Sequence, residues 1–338
     1  MKAISLQAPR QVAVVDLPEQ TPGPEDVLVE LRYVGLCGAD LQAYRGQSPM
    51  VSYPRVLGHE VSGVIVARGT RVPERLPLGS AVTVSPYSEC GLCPACRAGR
   101  PNCCEFNETL GVQRDGALRE RLAVDYRKVY LGEGLTAREL ALVEPMSVGY
   151  HAANRGQVGE NDTVLVLGCG TIGIGAVAAA ARKGATVIAA DIEPAKLANA
   201  RAFGAQYSVD TRGDVRAAVN ELTGGEGVSV AIEAVGLAQT YRLAVECACF
   251  AGRVVYIGYA KSEIAFDTRD FVRKELDIRG SRNALRVFPA VIGMLRRHER
   301  PYESLISAEY PLAAAGQALA YWDAAPGAVS KILIDVTA

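Results

Sequence analysis

Apolar and polar positions alternate with a period of two through the first 130 residues. In DVLVELRYV (26–34), Val27, Val29, Leu31 and Tyr33 fall on one face of a strand. VSGVIVARG (61–69) and SAVTVSP (80–86) are further apolar strands, punctuated by Gly and Pro. This predicts a small β-rich domain. The pattern changes near 136. TARELALVEPMSVGYHAANRG reads as one helix, with Thr136 as N-cap and Glu139 three residues on. From 163 to about 280, apolar runs alternate with helical stretches. Strands are predicted at 163–167, 186–190, 228–232, 253–258 and 276–279, and helices at 171–183, 194–203, 213–222 and 238–249. Such alternation argues for right-handed βαβ units on a parallel sheet. The tail carries helices near 286–298 and 311–323 and a last strand, KILIDV (331–336), free to return to the first domain. There is no internal repeat and no low-complexity segment.

Length and composition narrow this picture. A chain of 338 residues favours two domains. Apolar residues at 49% and charged residues at 22% are the mix of an ordinary soluble protein. The net charge of −1, without a long basic run, favours neither nucleic acid nor an anionic membrane as partner. No apolar stretch reaches the ~18 residues of a membrane span. The longest, IGIGAVAAAA, runs into Arg182 and Lys183. The start, MKAISLQAPRQ, lacks the apolar core of a signal peptide, so the cytosol is the expected compartment. The nine cysteines are then thiols or metal ligands rather than disulfides.

TVLVLGCGTIGIGAVAAAARKGATVIAAD holds Gly168, Gly170 and Gly173 in GxGxxG spacing, between an apolar strand and an Ala-rich helix. Gly168 permits a tight turn, Gly170 lets the backbone approach a pyrophosphate, and Gly173 lets helix and strand pack closely. The helix start, with Thr171 and Ile172, offers N–H groups to the phosphate charge. Asp191, ending the next strand, would accept from a ribose 2′-hydroxyl and repel a 2′-phosphate. Ile192 follows it and no arginine adjoins, so NAD is preferred over NADP.

CGLCPACRAGRPNCC places Cys90, Cys93 and Cys96 three apart, with Cys103 and Cys104 after a short loop. Four thiolates make a closed structural zinc site. Spacing alone leaves Cys103 and Cys104 both open as the fourth ligand. Earlier, GLCGADLQ carries Cys37, and GHE follows with His59 and Glu60. Glu144 lies in VEPMSVGYHA. One thiolate, one imidazole and one or two carboxylates suit a catalytic zinc. Taken singly, each has a plain structural role as the alternative. His151 reads as structural and His298, in RRHER, as solvated.

Taken in order, these motifs resemble the zinc-dependent medium-chain dehydrogenase/reductase family, over essentially the whole chain. Within it the wording at YPRVLGHE, NCCE, LGVQRDG and GSRN is similar to sorbitol, threonine and L-galactonate dehydrogenases. The resemblance implies an α/β architecture: a GroES-like β-barrel catalytic domain at 1–149 and 286–338, and a Rossmann NAD-binding domain at 150–285, with the active site in the cleft between them. It implies a catalytic zinc on Cys37, His59 and Glu144, with Glu60 exchangeable or nearby, and Asp40 orienting His59. It selects Cys104 beside Cys90, Cys93 and Cys96, and gives Lys196 a place at the adenosine ribose. Arg282 and Asn283, in GSRN, are candidates for the substrate.

The family usually carries a hydroxyl where this chain has Ala39, and often His where it has Gln42. That proton relay is missing. The proton is therefore expected to leave through water or a carboxylate at the metal, with Glu60 favoured over Glu144. The expected function is oxidation, with NAD and two zinc ions per chain, of a secondary hydroxyl on a polyol, sugar or sugar acid. L-galactonate-type substrates are favoured. The alternatives are an NAD-retaining epimerase or eliminase and a catalytically weakened NAD-binding regulatory protein. The expected partner is a small polyhydroxylated molecule, in a homodimer or homotetramer.

Overall fold

A computed structural model describes all residues from Met1 to Ala338 and divides them into two compact units. The first is Met1–Glu144 with Phe288–Ala338; the second is Pro145–Val287.

The first unit is built on a seven-stranded mixed sheet. Its order is Ile306–Pro311, Lys331–Asp335, Asp26–Leu36, Glu60–Arg68, Ala81–Val84 and Val129–Leu131, with Arg121–Asp125 also pairing to Asp26–Leu36. A second sheet of three strands joins Gln11–Asp16, Lys2–Ala8 and Arg55–Val56. The period-two face of 26–34 points inward as its alternation requires: Val27, Val29 and Leu31 are fully buried. The last strand does return to this unit. Lys331–Asp335 runs antiparallel to Asp26–Leu36, with Ile332 opposite Leu36 and Asp335 opposite Tyr33. Glu60 stands opposite Gly35 on the other side of the same strand. The end of Asp26–Leu36 therefore has a residue from the C-terminus on one flank and the GHE segment on the other.

The expected long helix at 136–155 is two helices, Ala137–Ala141 and Val143–Arg155. The first has the capping box read from sequence: Thr136 Oγ1 accepts from Glu139 N at 3.1 Å, and Thr136 N donates to the Glu139 carboxylate at 2.9 Å. The break precedes Pro145, which has no N–H to continue the ladder. The second helix belongs from Pro145 onward to the second unit, five residues earlier than the sequence boundary. It packs on the helix Thr171–Arg182 with Gly149 and Gly175 in the contact, which explains the shift.

The second unit is a six-stranded parallel sheet. Its order is Tyr207–Asp210, Thr186–Asp191, Thr163–Leu167, Val228–Glu233, Ala248–Tyr256 and Asp277–Gly280. In chain order this is 3-2-1-4-5-6, the doubly wound Rossmann order. Sequence periodicity missed Tyr207–Asp210, because an edge strand with one buried apolar residue, Val209, has no pattern to read. Val164, Leu165, Val166 and Leu167 are fully buried, as a strand covered on both faces requires. No helix is long and apolar enough to cross a membrane.

The first crossover is tight. A methyl group added at Gly173 would stand 1.8 Å from the carbonyl oxygen of Gly168. Backbone has no rotamer with which to escape, so Gly173→Ala should destabilise the second unit by about 1–3 kcal/mol, the usual range for overpacking. Chemical denaturation of the variant beside wild type measures this. An unchanged midpoint would show that the strand–helix contact is looser than the geometry gives.

Candidate active site

The chain brings Cys37, His59 and Glu60 together, with one ligand atom of each within 4.8 Å of the others. Cys37 caps the helix Gly38–Tyr44 at the end of the first unit's central strand. Glu60 opens the neighbouring strand, and His59 immediately precedes it. His59 and Glu60 are buried. Burial alone would pull the His59 imidazole down, but the charges of Asp40, Cys37 and Glu144 hold it well above its ordinary value. Its Nδ1 is buried without a hydrogen-bond partner. A thiol, an imidazole and a carboxylate crowded in negative surroundings are a donor set that fits zinc.

Two expected residues show their partners here. Asp40, expected to orient His59, has its Oδ1 3.9 Å from His59 Nδ1, and its charge acts on the imidazole. Its carboxylate also accepts from Cys37 N at 2.9 Å and Gly58 N at 3.2 Å. Asp40 thus ties the two metal-bearing segments together through their backbones. Glu60, expected as exchangeable or nearby, lies within the set; Glu144, expected as a ligand, is buried and accepts a hydrogen bond from the buried Tyr87 hydroxyl.

Glu60 is also not free to swing. Lys331 Nζ donates to its two oxygens at 2.6 and 2.5 Å, and to Leu36 O at 2.8 Å. Both side chains are almost completely buried. Burial and the nearby Glu144 oppose ionisation of Glu60, and Lys331 counters them. Burial would likewise pull the Lys331 amine down, but Glu60, Cys37 and Glu144 hold it above its usual value. Sequence reading missed both Lys331 and Tyr87. The only signal for Lys331 was a lysine opening an otherwise apolar strand.

Cys90, Cys93, Cys96 and Cys104 form a second set within the same distance limit, and Cys103 lies outside it. Backbone N–H groups point at the sulfurs. Leu92 N and Cys93 N lie 3.4 and 3.3 Å from Cys90 Sγ, and Cys90 N lies 3.3 Å from Cys104 Sγ. Backbone donors at Glu105 and Cys96 bring the Cys93 thiol down to about 6. Four thiols, some already favoured as thiolates, fit a closed tetrahedral zinc site.

In the second unit the glycine turn runs from Thr163–Leu167 into the helix Thr171–Arg182, with Gly170 as its N-cap. A side chain at Gly170 would project into open space, the space that a pyrophosphate at this helix start would take. Asp191 already has two backbone partners: Cys169 N at 2.7 Å and Glu193 N at 2.9 Å. A carboxylate has about four acceptor positions, so both ribose binding and support of the turn fall within its reach. Lys196 is half-buried on the next helix, Pro194–Ala202, and its charge acts on Cys169 in the turn. Arg282 and Asn283 are half-buried after the edge strand Asp277–Gly280. His151 is buried, and His298 is exposed as expected, with its Nδ1 3.2 Å from a Glu139 oxygen.

Comparison with known proteins agrees with both units. Residues 23–133 match the alcohol dehydrogenase GroES-like domain, and residues 171–297 match the zinc-binding dehydrogenase family. The L-galactonate-5-dehydrogenase of Escherichia coli K12 is 34% identical over 93% of this chain and 92% of its own. The structure of the RspB alcohol dehydrogenase of Escherichia coli CFT073, complexed with NADH, superposes with a TM-score of 0.92 at 30% identity, over 99% of each chain. A zinc-binding-dehydrogenase homologue from Sinorhizobium meliloti 1021, bound to NADP, gives 0.92 at 29% identity, over 99% of this chain and 98% of its own. With two metal-fitting ligand sets and a Rossmann glycine turn in one chain, this protein belongs to the zinc-dependent, NAD(P)-linked medium-chain alcohol and polyol dehydrogenase family.

Proposed function

We propose that this enzyme oxidises a secondary hydroxyl of a polyol, sugar or sugar acid with NAD, and that L-galactonate-like sugar acids are its best substrates. The observation that carries this reading is the carboxylate-rich metal set, Glu60 within it and Glu144 beside it, in a chain 34% identical to an L-galactonate dehydrogenase. Zinc held by Cys37, His59 and Glu60 would supply Lewis-acid polarisation of the substrate oxygen, and NAD would supply the hydride acceptor. The rest is the work of the chain. Asp40 fixes the spacing of the Cys37 and His59 segments. Lys331 counters the burial that opposes ionisation of Glu60 and holds the carboxylate in place. Ala39 has no group to relay a proton, and both oxygens of Glu60 are taken by Lys331. The substrate proton therefore leaves through a carboxylate at the metal site, with Glu144, buried beside the set, sharing that role with Glu60.

Asp191 supports NAD over NADP in this reading, although one solved relative holds NADP. Arg282 and Asn283 remain the candidate substrate contacts on the Rossmann unit. Assembly into dimers or tetramers belongs to the same proposal, supported by the unpaired outer side of the edge strand Asp277–Gly280.

A panel of sugar acids, polyols and simple alcohols, run with NAD and NADP side by side, tests the substrate class. Sugar acids or polyols should exceed ethanol and benzyl alcohol in kcat/KM by at least ~100-fold, because a site built to bond hydroxyls rejects analogues lacking them. Equal rates on simple alcohols would refute it. Substrate conversion without net NADH would favour an NAD-retaining epimerase or eliminase instead.

Cofactor choice is best tested with Asp191→Asn, which removes the charge while leaving acceptors for the turn. A charge-assisted hydrogen bond contributes about 1.5–3 kcal/mol, so NAD should bind about 10–100-fold more weakly and the gap to NADP should narrow. A wild-type preference for NADP would contradict the assignment.

Metal analysis should find two zinc ions per active chain. Lys331→Met should leave Glu60 buried and unpaired, a change that typically costs 3–5 kcal/mol. It should therefore lose the zinc at Cys37 before the one at Cys93. At most one zinc in fully active wild type would sink the two-site reading.

A further inference from the structure

One cleft of the first unit contains no residue of either metal-fitting set. Its volume is about 480 Å³, within the roughly 300–1,000 Å³ of small-molecule sites. Its floor is the short edge strand Val129–Leu131, which pairs on one side only, with Ala81–Val84. One wall is the helix Phe288–Leu295, where the Phe288 ring stacks on that of Tyr130 with centroids 4.9 Å apart. Ile292 is buried in the same wall and, with Tyr130, gives the cleft an apolar lining.

The charged lining is all of one sign. Arg75, Arg127 and Arg296 border the cleft, and no acidic side chain does. Arg127 is already neutralised: its Nε lies 2.9 and 3.0 Å from the two Asp125 oxygens, and its Nη2 lies 3.0 Å from Glu25. Arg75 and Arg296 are exposed, and neither has an ion-pair partner. Their backbones are nonetheless fixed. Leu76, next to Arg75, is fully buried, and Arg296 N donates to Ile292 O at 2.9 Å at the end of the helix. Two uncompensated cations bordering one cleft repel each other, and an anion between them relieves that repulsion.

Gly293 lines the same helical wall. A methyl group added there would meet nothing within 4 Å, and the residue has no positive φ. Glycine in a helix interior costs about 1 kcal/mol against alanine, and neither packing nor backbone demands it at this position. What it leaves is room in the cleft.

We propose that this cleft binds a phosphate monoester, with the phosphate between Arg75 and Arg296 and the organic body over Tyr130 and beside Gly293. Guanidinium groups match phosphate oxygens bidentately, and a phosphate monoester carries about −1.5 to −2 at pH 7, the charge that balances two free arginines. A sugar acid carries a single charge, so the cleft is not a second copy of the substrate site proposed above. The inference depends on neither the metal nor that substrate.

Phenyl phosphate is the probe, titrated calorimetrically into the full chain with NAD in excess. One molecule should bind per chain with a sub-millimolar Kd. Phenyl sulfate, a tetrahedral anion with a single charge, should bind several-fold more weakly. Arg75→Ala and Arg296→Ala should each weaken phenyl phosphate binding about tenfold, the lower end for a charge-assisted bond because both side chains are exposed. Gly293→Leu keeps all three arginines and brings in a better helix former, so it should stay folded, yet lose binding because its side chain fills the cleft. Failure of wild type to bind phenyl phosphate would overturn the proposal, as would equal binding of phenyl sulfate. Binding that survives Gly293→Leu or both arginine variants would also overturn it, since the phosphate would then sit elsewhere in the molecule.

Discussion

The buried Lys331–Glu60 pair is the constraint on which the first unit's chemistry depends. Neither member is tolerable alone, since an uncompensated charge away from water costs several kcal/mol. Their meeting requires that the last strand of the chain lie beside Asp26–Leu36, and that the GHE strand lie on its other flank. The third bond of Lys331, to Leu36 O, fixes the ammonium to the residue just before Cys37. One cation therefore sets the position of the carboxylate and touches the backbone that carries the thiol. The C-terminal strand is in this sense part of the metal site, although none of its residues is a ligand.

This explains which parts of the site could be read from sequence. Cys90, Cys93 and Cys96 are near neighbours in the chain, and their spacing states their purpose, while only the family resemblance chose Cys104 over Cys103. GHE announces itself for the same reason. The glycine turn is legible because its strand, turn and helix are contiguous, and the parallel sheet followed from strand–helix alternation, without the edge strand Tyr207–Asp210. Lys331 is 271 residues from Glu60, and nothing local marks it as anything but a polar residue at a strand start. Tyr87 is equally silent, because a tyrosine between Pro86 and Ser88 reads as loop. Asp40 lies beside His59 as expected, but its backbone partners were not legible. Its spacing from Cys37 is visible in sequence, whereas the approach of Gly58 N depends on the fold. The long helix was misjudged because period alone does not weigh a proline against the helical pattern around it.

Asp191 shows the same economy in the second unit. Its carboxylate accepts from Cys169 N within the glycine turn and from Glu193 N at the next loop, so a residue read for cofactor choice also braces the turn. Specificity and shape are then coupled. Removing the whole side chain would disturb the turn itself, and a change in affinity could not be assigned to the ribose alone.

The absence of a hydroxyl at Ala39 fits this distribution of charges. Where a hydroxyl relay exists, the carboxylates at the metal need only tune the site. Here two carboxylates lie close together, and electrostatics links their roles. The one paired with a cation, Glu60, is held in place by Lys331, although burial and Glu144 push its pKa up to about 7. The other, Glu144, accepts from the Tyr87 hydroxyl, and its charge adds to that of Glu60 in holding the Lys331 ammonium. The two carboxylates are thus coupled through one buried ammonium, and neither can move without altering the field felt by the other.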